Sequence, residues 1–89
     1  MVDKEEMMRI FNIALKEAEI ENKVIDLNTT FTGTDSNFES IDIVQIISTI
    51  EDQLENMGFE GIDLLDKVFS TDKLNFDELA ELILQNINK

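Results

Sequence analysis

Apolar residues recur along this chain in helical stretches separated by polar connections. From about residue 3 to 20, Met7, Ile10, Phe11, Ala14, Leu15 and Ala18 follow the i, i+3, i+4, i+7 spacing of one buried helix face. Asp3, Glu5 and Glu6 fall in the first turn, where the aligned peptide dipoles favour acids. Residues 21–39 break the rhythm. They are rich in Asn, Thr, Ser, Asp and Gly, whose short polar side chains or free backbone compete with helix. Val24, Ile25, Leu27, Phe31 and Phe38 are scattered through this stretch, which predicts a loop pinned across the core. A structureless connection of that length is unusual in a compact domain; it points to function or to a hidden element.

The pattern resumes at Ser40. Ile43, Ile46, Ile47, Ile50 and Leu54 make one stripe of a helix that should end before Gly58. The β-branched run 41–50 also has strand propensity, but the apolar spacing continues to Met57 and residues 51–55 favour helix. Ser40 is the expected N-cap, and Gly58 the left-handed terminator. Ile41, Val44 and Ser48 form a second line turned away from the core. Such a line either marks a partner surface or packs against another side of a small bundle. A short third helix is expected around 62–69, packing through Leu65, Val68 and Phe69. A fourth is expected over 76–87, opened by Asn75 and Glu78 as a capping box. Its buried face is Phe76, Leu79, Ala80, Ile83 and Ile87. Together these predict a single all-α domain over residues 1–89: three long helices and one short helix, with a long loop between the first two.

Composition narrows the chemistry. Twenty Asp and Glu stand against seven Lys and Arg, a net charge of -13, and residues 24–66 hold ten acids and no base. Binding nucleic acid needs cations to displace counterions from phosphates, so that class is excluded. The one-signed field instead steers basic partners. Neither Cys nor His is present, so there is no disulfide framework, no thiolate or imidazole metal ligand and no histidine base. At 43% hydrophobic, the chain is too apolar for a disordered acidic tail. No apolar run approaches the ~18 residues of a membrane span, and Met1-Val2-Asp3-Lys4-Glu5-Glu6 does not open like a signal peptide. A soluble, cytoplasmic monomer without catalysis of its own is expected.

Two sites merit weighing. Asp35-Ser36-Asn37 opens like a calcium loop, but Ser40 stands where that loop needs Gly and Ile46 where it needs Glu. Counting back from Glu78 as the last ligand puts Lys67 and Phe69 at ligand positions, and neither supplies an oxygen. Ser40 is either a plain cap or a hydroxyl modified by another enzyme. A phosphodiester there would sit at the positive end of the helix dipole.

The run Glu39-Ser40-Ile41-Asp42-Ile43-Val44-Gln45-Ile46-Ile47, then Ile50-Glu51-Asp52, resembles the acyl carrier proteins. Their signature is Asp-Ser-Leu at the start of an apolar, acidic second helix after a long loop. The resemblance covers residues about 5–57 and 74–87, and it implies an acyl-carrier-like bundle. It further implies that Ser40 carries 4′-phosphopantetheine, attached from coenzyme A by a phosphopantetheinyl transferase. The arm's thiol then holds an acyl group as a thioester, and a chain with no Cys can present a thiol only through such a group. On this resemblance the protein is a cofactor-bearing phosphoprotein of lipid or fatty acid biosynthesis, not an enzyme. Its partners would be acyl-transferring, ligase or synthase enzymes with basic docking patches. Glu39, Asp42, Glu51 and Asp52 would meet those patches, with Ile41, Val44 and Ser48 as the apolar contact line. The acyl chain would retreat between the helices at Ile46, Ile47 and Ile50. Some residues depart from the pattern. The literal Asp35-Ser36 pair is followed by Asn37-Phe38, Gln45 replaces a usual acid, and residues 56–73 are longer and lack a proline. These departures suggest a specialised carrier. The rival class is an acidic helical interaction module, such as an inhibitor or nucleic-acid mimic. It explains the charge but not the helix-start serine or the long loop. A degenerate EF-hand protein is the third reading.

Overall fold

The computed structural model describes residues 2–20, 25–34 and 36–87. In chain order the elements are α1 (Lys4–Glu17), β1 (Thr30–Thr32), α2 (Ser40–Asn56), α3 (Leu65–Phe69), β2 (Leu74–Asn75) and α4 (Phe76–Ile87). Helix dominates, but a purely α chain is not what forms. β1 and β2 pair antiparallel, Thr30 opposite Asn75 and Thr32 opposite Leu74, with an irregular register between them. The β-branched and aromatic triple Thr30-Phe31-Thr32 suits a pleated surface, and it finds its partner at the entry to α4. Val24 and Asp35 lie outside the described residues.

Several helix ends have a local cause. The Asp3 side chain accepts the Glu6 N–H at 2.9 Å and opens α1. α1 stops at Glu17, three residues short of the expected end. Glu19 takes a left-handed conformation (φ 61), its N–H reaches Lys16 O at 3.1 Å, and the Ile20 N–H reaches Leu15 O at 2.8 Å. That is the Schellman arrangement, here with glutamate where glycine is usual. α2 closes in the same way and as expected on Gly58 (φ 97). The Gly58 N–H meets Glu55 O, and the Phe59 N–H meets Leu54 O. α4 opens on the expected capping box. The Asn75 N–H donates to Glu78 Oε1 at 3.0 Å, and the Glu78 N–H donates to Asn75 Oδ1 at 2.8 Å. The N–H groups of Phe76 and Asp77, which have no partner inside the helix, are taken by the loop carbonyls of Thr29 and Leu27.

The core joins these elements. α1 buries Met7, Ile10, Phe11, Ala14 and Leu15 and packs on both α2 and α4. Lys4 ties α1 to α4, with its ammonium 2.7 Å from Asp77 and 3.1 Å from Glu81. Those hydrogen bonds, Asp77 first, raise the lysine pKa. Phe11, Phe31, Phe38 and Phe76 stack as tilted and edge-on pairs with ring centroids 5.1–6.0 Å apart. Phe31 and Phe38 come from the connection between α1 and α2, and Ile25 is buried beside them in the core. The loop is therefore pinned, because burying each such side chain stabilises by about 1.5–3 kcal/mol. α3 is shorter than expected. It buries Val68 against the core and leaves Leu65 half-buried, while Phe69, expected to pack, is 51% exposed.

Candidate functional site

The start of α2 differs by one residue from the expectation. Glu39, extended at φ -80 and ψ 162, is the N-cap, and its N–H donates to Asp42 Oδ2 at 3.1 Å. Ser40 is the first residue inside the helix. From there a hydroxyl lies past the position that reaches back over the first-turn donors. The cap is supplied by the Glu39–Asp42 pair, and the Ser40 hydroxyl is exposed and unpartnered among the described residues. Ser36 is the opposite case. Its Oγ donates to Phe31 O at 2.6 Å and accepts the Phe38 N–H at 3.1 Å, so it is spent in shaping the loop.

The outer face of α2 carries Ile41, 63% exposed, Val44, 38% exposed, and the exposed Ser48 and Asp52. Beside it, between the end of α1 and α2, lies an open hollow of about 520 Å³ bordered by Glu17, Glu19, Val44 and Ser48. The four acids nominated from the sequence divide in two. Glu39 and Asp52 are exposed, whereas Asp42 and Glu51 are half-buried and hold backbone. Glu51 Oε2 accepts the Leu64 N–H at 2.8 Å and so anchors the connection leading to α3. Nothing in the local sequence signals that bond, because its partner lies in the next connection. Ile46, Ile47 and Ile50 are fully enclosed in the core, so an apolar group reaching them has to part the helices.

A second hollow, of about 270 Å³, opens directly at Ser40. Thr32 and Ser36 form part of its wall on the loop side, Ile43 on α2, and Val68 and Phe69 on α3. Thr32 is only 7% exposed, and its Oγ1 is buried without a partner among the described residues. Thr32 and Phe69 reach this place only through the β1–β2 pairing and the fold of α3, which the sequence pattern does not signal.

The same geometry bears on a resident group at Ser40. An exposed, uncommitted hydroxyl in the first turn of a 17-residue helix suits an anionic phosphodiester, because the helix dipole is positive at that end. The calcium-loop residues are otherwise engaged: Ser36 in the loop, Glu78 in the α4 cap, and Lys67 with Asn86 Oδ1 at 2.5 Å. Among the described residues no three His, Cys, Asp or Glu side chains gather as a metal site, and no helix is long and apolar enough to cross a membrane. Comparison of the chain with family models, with curated proteins and with solved structures gives no match.

Proposed function

We propose that this protein is a carrier of the acyl carrier type, with 4′-phosphopantetheine attached at Ser40 and its helices forming an acyl-carrier-like bundle. The observation that carries the reading is the contrast between two serines. Ser40 offers a free hydroxyl at the positive end of α2, and Ser36, four residues earlier, is hydrogen-bonded on both sides. In the attachment step the Ser40 oxygen forms a bond to the pantetheine-side phosphorus of coenzyme A. The pyrophosphate P–O bond breaks, adenosine 3′,5′-bisphosphate leaves, and the serine proton passes to a base of the phosphopantetheinyl transferase. Once attached, the arm supplies a thiol that holds an acyl group as a thioester.

The remaining roles follow from the surface. Glu39 and Asp52 meet basic patches on acyl-transferring, ligase or synthase enzymes, and Ile41, Val44 and Ser48 supply the apolar contact line. Asp42 and Glu51 act in the same region by holding the backbone that presents it. Ile46, Ile47 and Ile50 line the route of an acyl chain into the core. The chain acts as a cytoplasmic monomer in acyl or lipid biosynthesis and does no catalysis itself.

Intact mass after incubation with coenzyme A and a broad-range transferase tests this. Wild type and Ser36→Ala should each gain one phosphopantetheine, and Ser40→Ala none while staying helical. No adduct on wild type would sink the carrier reading. It would then favour an acidic interaction module, for which the exposed Ile41 and Val44 amid 43 base-free residues would be the contact surface.

A further inference from the structure

Among the described residues, Ile41, Val44, Met57 and Phe69 are the large apolar side chains that stand exposed. Single apolar residues on a surface are ordinary. These are not scattered, because three of the four surround Ser40. Helical geometry turns Ile41 about 100° and Val44 about 40° to one side of Ser40, and Ile43 about 60° to the other. Ile43 shares the wall of the hollow at Ser40 with Phe69. Phe69 therefore stands across Ser40 from the Ile41–Val44 line. Met57 lies about 25 Å away, past the far end of α2. Phe69 is also held in place by its neighbours. Val68 anchors α3 in the core, the Leu64 N–H is bonded to Glu51, and Lys67 reaches Asn86 on α4. The Ser70 and Thr71 hydroxyls close the last turn onto Asp66 O and Lys67 O at 2.6 and 2.9 Å. The ring is thus a large apolar contact that is already ordered, and aromatic side chains are enriched at protein interfaces.

Resting on the carrier reading, we propose that Phe69 is an apolar anchor for the phosphopantetheinyl transferase, which spans from α2 to α3 across Ser40. The position of Ser40 selects this occupant. An enzyme whose base takes the Ser40 proton has to bring that base within hydrogen-bond reach of the hydroxyl. A stable protein–protein contact covers about 800 Å² on each partner, so a patch centred on Ser40 reaches roughly 16 Å in every direction. Phe69 borders the same hollow as Ser40, of only about 270 Å³, and falls well inside that patch. Met57 falls outside it. The two sides of the contact differ in chemistry. Acids on α2 attract a basic patch at a distance, and salt screens that attraction. Phe69 acts only on close approach, by excluding water from its ring, and salt does not screen it. The enzyme that fits carries an apolar pocket opposite α3 beside the basic patch opposite α2.

The test measures kcat/KM for addition of phosphopantetheine to wild type, Phe69→Ala, Phe69→Leu and Met57→Ala, at low and at high salt. Phe69→Ala should lose roughly tenfold or more, mainly through a raised KM, with its helical circular dichroism intact. Phe69→Leu should keep most of the rate, and Met57→Ala all of it. The Phe69→Ala deficit should persist at high salt. Titrating unmodified wild type with the transferase, without coenzyme A, should move the amide NMR signals of Leu65–Ser70, a readout that stands even if Phe69→Ala does not fold. A wild-type rate for Phe69→Ala, an equal loss in Met57→Ala, a deficit that salt erases, or α3 amides that do not move would overturn the inference and leave attachment at Ser40 intact. A wild type that takes no adduct would overturn both.

Discussion

Glu19 holds the left-handed position that ends α1, at φ 61, where a Cβ is crowded by the neighbouring backbone. Glycine has no such crowding. Glu19→Gly should therefore stabilise the fold by ~1 kcal/mol, seen as a higher urea midpoint with an unchanged slope. A lower midpoint would mean that the glutamate side chain, at the edge of the hollow beside α2, contributes more than its backbone costs. Glu51 illustrates a different residue-scale effect. Its carboxylate is the acceptor for the Leu64 N–H, and that amide is the last before α3. Glu51→Ala should cost about 1–2 kcal/mol and accelerate hydrogen exchange at Leu64, while Glu51→Gln retains an acceptor and most of the stability. Unchanged exchange at Leu64 in the alanine variant would show that the connection is held by Leu64 burial alone.

At the scale of elements, α2 is a helix with one face in the core and one face offered outward, and its acids are not equivalent. Asp52→Lys reverses a charge on the open face and should slow modification of Ser40 at low salt, with the deficit shrinking as salt is added and helicity unchanged. Asp42→Lys removes the carboxylate that caps Glu39, so it should slow modification and also cost ~1 kcal/mol of stability. Wild-type rates for Asp52→Lys at low salt would remove α2 from the proposed docking surface. The contrast also shows what was legible beforehand. The capping box of α4 and the glycine stop of α2 are written in adjacent residues, so Asn75, Glu78 and Gly58 could be read directly. The aromatic loop residues Phe31 and Phe38 could be read as pinned because nothing else accounts for their apolarity there. The β1–β2 pair could not, since strands of three and two residues carry too little pattern and the partner is distant. The one-residue shift at Ser40 was invisible for a related reason: Glu39 and Asp42 form a cap between unlike positions, and a serine is the commoner choice. For the candidate site, the outward line of Ile41, Val44 and Ser48 was legible as periodicity. The hollow at Thr32 was not, because it exists only once the loop and α3 are folded against α2.

For the molecule as a whole, charge adds to the chain entropy that opposes folding. A net charge of -13 on 89 residues works against compactness through self-repulsion, and the ion pairs of Lys4 and of Arg9 with Glu6 relieve it only locally. Millimolar magnesium or moderate salt should raise the melting temperature by screening that repulsion. A flat or falling melting temperature across a magnesium titration would show that the repulsion is already dispersed by geometry. The strand pair has a kinetic consequence. It joins segments more than forty residues apart, and the loop carbonyls of Thr29 and Leu27 close over the start of α4 only when that long circuit is complete. Closing a circuit of this length costs chain entropy before any contact rewards it, so the clip should form after the crest of the folding barrier. Phe31→Leu should then speed unfolding far more than it slows refolding, leaving the refolding arm of the chevron nearly in place. The loop would thus be the last part of the chain to lock and the first to let go, and Ser40 stands immediately behind that latch.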